Sequence, residues 1–372
     1  MIAFFIAAIL LGKIRGLFRN TNMKIAMVLP PWFKIPPEGY GGIEVVVSLL
    51  TEGLVKKGHD VTLFTISASR TKAHMFRVFD EEMKSYLDKP TSNFLNIALT
   101  HTLASYLEIA KRDYDLIHDH TWKEGLTCAA FLNVPVIHTI HSPIDDENTR
   151  FYNLFKGYKG IHFVTISDYQ QASLPGLNYA ATVYNGIVFS KYPYSEQKED
   201  YFFYMGRFNQ EKAPHLACEV VAKLGKKLIL AGKVHEEAER NYFDQYIKPL
   251  LSDDISYIGP LGHWSEEKMR LFSRAKGYLY PIQWDEPFGI TMAEAIACGT
   301  PVVTFKRGAA PEVIDHGVTG FVVETMEEFI DATKHVDEIS PQACRKRAES
   351  MFTARAMIDN YECTYLKVLN GE

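Results

Sequence analysis

Gly277-Tyr278-Leu279-Tyr280-Pro281-Ile282-Gln283-Trp284-Asp285-Glu286-Pro287-Phe288-Gly289-Ile290-Thr291-Met292-Ala293-Glu294-Ala295-Ile296-Ala297-Cys298-Gly299-Thr300-Pro301-Val302-Val303 decides how this chain is read. Gly277 to Pro281 is a short apolar run, the end of a buried strand. Trp284, Asp285 and Glu286 fall in a loop punctuated by Pro287 and Gly289. Ile290 to Cys298 is rich in helix formers, Gly299 stops the helix, and Pro301-Val302-Val303 opens another strand. Strand, loop, helix and strand make one unit of a parallel α/β sheet. Ligands of such sheets sit at the carboxyl ends of the strands. Here two carboxylates, Glu286 and Glu294, flank a helix start. Carboxylates suit sugar and ribose hydroxyls, which need acceptors. The N–H groups of Phe288, Gly289 and Ile290 would be open to phosphate oxygens. Taken singly, the two acids also read as a solvated loop acid and a surface helix acid favoured by the helix dipole.

The same alternation extends both ways. Ile25 to Leu29 is apolar, Glu44 to Lys57 is amphipathic and closed by Gly58, and Val61 to Ile66 is a strand. Leu116-Ile117, Val134 to Thr139 and Phe163 to Ile166 are further short buried strands. Residues 67–112 carry no readable motif. Ser190 to Asp200 is polar, breaks the period and reads as a linker. A second run follows: strands at Tyr201–Met205, Lys227–Ala231, Ile255–Ile258, Val302–Phe305 and Gly320–Val323, with helices at Ala213–Leu224 and Glu266–Arg274. The remainder, to Glu372, reads as helices. The expected organisation is an extension over 1–22, an α/β domain over 23–190, a linker over 191–200 and a second α/β domain over 201–355. A C-terminal helix over 356–372 is placed to pack back on the first domain. A length of 372 residues suits about two domains.

Composition narrows the function. A formal net charge of −5 gives no basic field for nucleic acid. The five cysteines are scattered, odd in number and without metal-ligand spacing, the pattern of a reduced, cytoplasmic protein. Met1 to Leu11 is apolar and is followed by Lys13, Arg15 and Arg19, but a membrane span takes ~20 apolar residues. The run reads either as an interfacial anchor, allowing peripheral association with the inner membrane face, or as a non-native extension ahead of Met23.

Three more segments carry chemistry. Pro36-Pro37-Glu38-Gly39-Tyr40-Gly41-Gly42-Ile43-Glu44 joins the first strand to the first helix, and its glycines let backbone approach a phosphate. A dinucleotide fingerprint would need Gly where Glu44 stands, and no P-loop sequence occurs. Gly206-Arg207-Phe208-Asn209-Gln210-Glu211-Lys212 follows the first strand of the second domain. Its Arg and Lys can clamp a diphosphate from two sides, or they are solvated surface bases. Thr139-Ile140-His141-Ser142-Pro143 ends a strand, with His141 the site candidate and His138 directed to the other face. His118-Asp119-His120 has i, i+2 ligand spacing but no further His or Cys cluster. A cleft-lining or acceptor role is expected there, and no metal. Glu312, after Pro311, stands where it could shape the donor pocket.

Residues 286–303 resemble the Glu-x7-Glu signature of the retaining glycosyltransferases of family 4, which have the GT-B fold. Agreement extends through Pro-Phe-Gly, Glu-Ala and Gly-Thr-Pro-Val-Val. Gly206-Arg207-x4-Lys212 is similar to the family's Gly-Arg-x4-Lys, and the resemblance covers nearly all of 23–365. It implies two Rossmann-like domains facing across a cleft. It implies that Glu286 contacts the donor sugar, Glu294 holds the ribose, and Arg207 and Lys212 hold the diphosphate and stabilise the leaving group. It sets the loop of Gly41 and Gly42 against the donor phosphates and His141 near the donor sugar. It implies a metal-independent, retaining hexosyltransferase with no cofactor. The substrates would be a nucleoside-diphosphate-sugar and the hydroxyl of a glycan, a lipid-linked acceptor or a small molecule. An epimerase or phosphorylase on the same fold is the alternative, and a non-catalytic nucleotide-sugar-binding protein the second. Intact Arg207, Lys212, Glu286 and Glu294 count against the last.

Overall fold

The computed structural model describes residues 22–39, 41–86 and 91–372. The apolar stretch Met1–Leu11 and its basic flank lie outside the described residues. Among those described, no helix is long and apolar enough to cross a membrane.

Two parallel sheets form two lobes. The first takes Lys24–Val28 (β1), Asp60–Ile66 (β2), His74–Phe79 (β3), Leu116–Asp119 (β4), Val136–Ile140 (β5), Ile161–Thr165 (β6) and Tyr179–Thr182 (β7). Their order is β3-β2-β1-β4-β5-β6-β7. The second takes Phe202–Met205 (β8), Leu228–Ala231 (β9), Ile255–Tyr257 (β10), Gly277–Tyr280 (β11), Val302–Phe305 (β12) and Gly320–Val323 (β13), in the order β10-β9-β8-β11-β12-β13. Each order reverses direction once beside its first strand, which opens a crevice at the strand carboxyl ends. Central strands read as unbroken apolar runs because helices cover both faces. Ile25, Met27, Leu63 and Ile137 pack on one face of the first sheet, and Ala26, Val28, Phe64 and Ile140 on the other.

Residues 191–200 are expected to be a plain linker, yet Tyr192 is fully buried in the core of the second lobe. The chain crosses between lobes twice, side by side. Ile187 N donates to Phe352 O, and Ala354 N donates to Ile187 O, both at 2.8 Å. The backbones are so close at Gly186 that a Cβ there would lie 2.6 Å from Ala354 Cα. After this second crossing the helix Ala354–Asn370 lies on the first lobe against the helix Gly42–Lys56. Its Tyr365 hydroxyl reaches His118 Nδ1 at 2.6 Å.

Two further contacts bridge the lobes. The Glu312 carboxylate accepts from the backbone N–H groups of Asp168 (2.8 Å) and Tyr169 (2.7 Å) and from the Tyr184 hydroxyl (3.0 Å). Rather than lining the cleft, Glu312 caps the start of the first-lobe helix Asp168–Ser173. Across the cleft, His263 N donates to Glu38 O at 3.2 Å.

Candidate active site

The loop after β11 folds Glu286 back beneath its own strand. One carboxylate oxygen, Oε2, accepts from the Tyr280 hydroxyl (3.0 Å) and Trp284 Nε1 (3.0 Å), and it pairs with Lys212 Nζ. Glu286 and Lys212 are each 7% exposed. The loop is held from behind: Ala309 N donates to Glu286 O at 2.8 Å and Gly308 N to Asp285 Oδ1 at 3.2 Å. Gly289 then takes the left-handed conformation (φ 83) and starts the helix Ile290–Ala297, which among the described residues has no side-chain cap. Its leading N–H groups are therefore open to a ligand.

Lys212 follows β8 in a turn fixed by Asn209, whose Oδ1 accepts from Lys212 N at 3.0 Å. Its ammonium stands 4.4 Å from the Trp284 ring centroid and 5.4 Å from that of Tyr280. Burial holds Lys212 below the ordinary lysine range, and the Glu286 carboxylate opposes that shift. Arg207 is partly exposed, bonds Glu211 Oε2 at 2.9 Å, and lies 5.8 Å from the Trp284 ring.

Glu294 is only 1% exposed. Its Oε1 accepts from Lys268 Nζ at 2.7 Å and the Tyr192 hydroxyl at 2.6 Å. Both carboxylates thus share one design: protein donors hold one oxygen, and among the described residues the other accepts no hydrogen bond. Neither Lys268 nor Tyr192 is signalled by the sequence, since Lys268 lies on the buried face of an amphipathic helix and Tyr192 in a polar stretch. Lys268→Met would leave a buried carboxylate without its cation. We expect a loss of about 3 kcal/mol or more in denaturant unfolding. Wild-type stability in that variant would show that the pair is dispensable.

The first lobe closes the site. Gly41 and Gly42 begin the helix facing the signature helix, and a Cβ on Gly42 would stand 3.7 Å from Ile290 Cδ1. His141 lines the cleft, and burial pushes its imidazole down to about 3. His138 lies on the opposite face of β5, bonded to Asp119 Oδ1 at 3.2 Å. The cleft-lining role expected for His118-Asp119-His120 is not what the structure shows: all three are fully buried. Asp119 is bonded by Tyr106 and Thr121, and His118 by Thr139 and Tyr365. The sheet interior, not the cleft, takes these side chains. Among the described residues no cluster of His, Cys, Asp and Glu is arranged to hold a metal ion.

Arg207, Lys212, Glu286, Phe288, Gly289 and Ile290 line a cavity of about 580 Å³, together with Gly42 and His141. It continues past Arg207 into a second of about 600 Å³, walled by Phe33, Glu38, Lys233, Leu261 and His263. A long ligand with two ends and a charged middle suits this shape. Glu44, absent from the expected site residues, also lines the first cavity. Burial, with a smaller push from Glu82, raises its carboxyl to about 7. A carboxyl raised on folding holds its proton more tightly in the folded state. Its support for folding is therefore full below pH 4.5 and is lost as pH rises through about 7. The amount is roughly 3 kcal/mol. Comparing thermal midpoints at pH 5 and pH 8 should show a fall in the wild type that Glu44→Gln removes. An identical fall in both would refute it.

Two parallel α/β lobes that meet across a cleft at their strand ends make the GT-B fold. Sequence and structure comparisons make this specific. The family model "Glycosyltransferase Family 4" matches residues 40–190, and "Glycosyl transferases group 1" matches residues 190–351. The chain belongs to the group 1 glycosyltransferases of family 4. It is 26% identical to a glycogen synthase of Mycobacterium tuberculosis over 346 residues, covering 80% of this chain and 81% of that one. Sucrose-phosphate synthase of Thermosynechococcus elongatus superposes with a TM-score of 0.78 at 19% identity, covering 94% and 100% of the two chains. The Anabaena protein HepE, solved in complex with UDP-glucose, does so with a TM-score of 0.70 at 18% identity, again covering 94% and 100%.

Proposed function

We propose that this glycosyltransferase takes a hexosyl group from a nucleoside-diphosphate-sugar and passes it, with retention, to an acceptor hydroxyl. The observation that carries this is the pair of half-occupied carboxylates on either side of an uncapped helix start, with Arg207 and Lys212 beside them. The free oxygen of Glu286 takes a hydroxyl of the donor sugar, and that of Glu294 a ribose hydroxyl. Arg207, Lys212 and the N–H groups of Phe288 to Ile290 receive the diphosphate. As the bond from the anomeric carbon to the phosphate oxygen breaks, these fixed donors stabilise the charge left on the diphosphate. The acceptor hydroxyl adds from the same face, and its proton passes to the departing phosphate oxygen. No side chain acts as nucleophile, and no metal ion takes part. UDP-glucose bound by the HepE neighbour supports a nucleotide-sugar donor.

A thermal-shift screen across UDP-, GDP-, ADP- and TDP-sugars tests the donor class, and NMR of the product tests the anomeric outcome. Stabilisation by none of these would overturn the donor assignment. An inverted product would overturn the same-face mechanism. Conversion of donor without acceptor would instead show an epimerase.

A further inference from the structure

His120 and His141 meet ring nitrogen to ring nitrogen, with His120 Nδ1 and His141 Nε2 2.9 Å apart. One hydrogen lies between them, and the far side of His120 decides whose it is. There His120 Nε2 stands 3.2 Å from Met27 Sδ. A thioether sulfur has lone pairs and no hydrogen to give, so Nε2 must bring the hydrogen to that contact. Burial keeps the His120 ring neutral. Its Nδ1 is then a bare acceptor, and the hydrogen between the rings belongs to His141 Nε2. His141 is neutral too, so its Nδ1 carries a lone pair. Among the described residues that nitrogen has no hydrogen-bond partner, and its ring lines the cleft with Lys212 and Glu286.

We propose that His120 is a positioning residue, locking His141 in the Nε2–H tautomer so that its Nδ1 lone pair receives a hydroxyl of the sugar bound in the cleft. This rests on reading the cleft as a nucleotide-sugar site. An acceptor at that point favours a sugar bearing a hydroxyl there over its deoxy or O-methyl analogue. The lock is itself held. His118 packs on His120 with ring centroids 3.9 Å apart, and Thr139 Oγ1 and the Tyr365 hydroxyl grip the two nitrogens of His118.

The test is two-bond 1H–15N correlation NMR on the full chain carrying 15N-histidine, which reads the protonated nitrogen of each ring. In the wild type without ligand, His141 should be Nε2–H. His120→Phe should give mixed tautomers and lower kcat/KM about tenfold, the effect of one hydrogen bond. His120→Asn should restore both, because its amide oxygen can stand near the former Nδ1. Met27→Leu, which keeps both rings, should loosen the lock. A wild-type His141 protonated on Nδ1 would overturn the proposal, as would a His120→Phe variant that keeps Nε2–H. The sugar contact is read separately, by adding UDP-, GDP-, ADP- or TDP-glucose. One of these should move the His141 Nδ1 resonance where the bare nucleoside diphosphate does not. A locked tautomer that responds to none of them would overturn the sugar contact and the donor reading while leaving the lock intact.

Discussion

Glu286→Ala is expected to lower turnover by roughly a thousandfold, at the upper end for losing one fixed electrostatic contact in a closed site. The substitution removes the proposed sugar acceptor and also releases its three donors, Lys212, Tyr280 and Trp284. Lys212 would be left buried without its counter-charge, a loss of about 3–5 kcal/mol unless it sheds its proton. Two readouts separate these effects. Glu286→Gln keeps the shape and a carbonyl oxygen for the Tyr280 and Trp284 donors but no charge for Lys212, so it should show the Lys212 loss without the cavity and still lose the activity. Unchanged turnover in Glu286→Ala would remove this residue from the chemistry.

Gly308→Ala should be nearly as damaging although residue 308 need touch no substrate. Gly308 has φ 54, in the left-handed region, and a Cβ there would stand 2.3 Å from both the backbone N and the backbone O of Glu286. Backbone cannot swing aside as a side chain can, so the Glu286 loop must shift as a unit. A displacement near 1 Å at a reacting centre can lower the rate by about a hundredfold. Arg207 sits on a different loop, so stabilisation by whichever nucleoside diphosphate stabilises the wild type should persist while kcat falls. A Gly308→Ala enzyme with wild-type kcat would show that the loop tolerates the shift.

The legible parts of this protein are those where burial and sequence agree. β8, β11 and β12 are apolar, enclosed by helices and readable to within a residue. The signature stretch was readable because its strand end, turn glycine and helix formers all fall in the expected order. β3 carries no clear sequence signal because it is an edge strand, half exposed along its length and carrying His74 and Arg77. β7 is the other edge, four residues with no fully buried side chain. The helix Thr91–Ile109 departs from the usual pattern, although it buries Ala98, Tyr106 and Ile109. His101, Thr102 and Ser105 are buried, while Leu95, Leu99, Leu103 and Leu107 face outward. A reading that turns leucines inward fails on such a helix. At the candidate site, the motifs single out the acids and bases that the fold brings to one cleft, but not the partners that support them. Lys268 is 26 residues before Glu294 in the chain and Tyr192 is 102 before it, so only folding brings them together. His120 gave no signal that its partner was His141, which a neighbouring strand carries to it.

The paired crossing at Ile187 and Ala354 makes the second lobe, topologically, a guest inserted into the first. Its entry and exit are neighbours, joined by two backbone hydrogen bonds. Direct fusion of residue 187 to residue 354 would keep the helix Ala354–Asn370 on its bed against β7 and the helix Gly42–Lys56. We expect that shortened chain to fold as a freestanding host. Simple truncation after residue 353 should not give a sound first lobe, because it strips Tyr361 and Tyr365 from that lobe's interior.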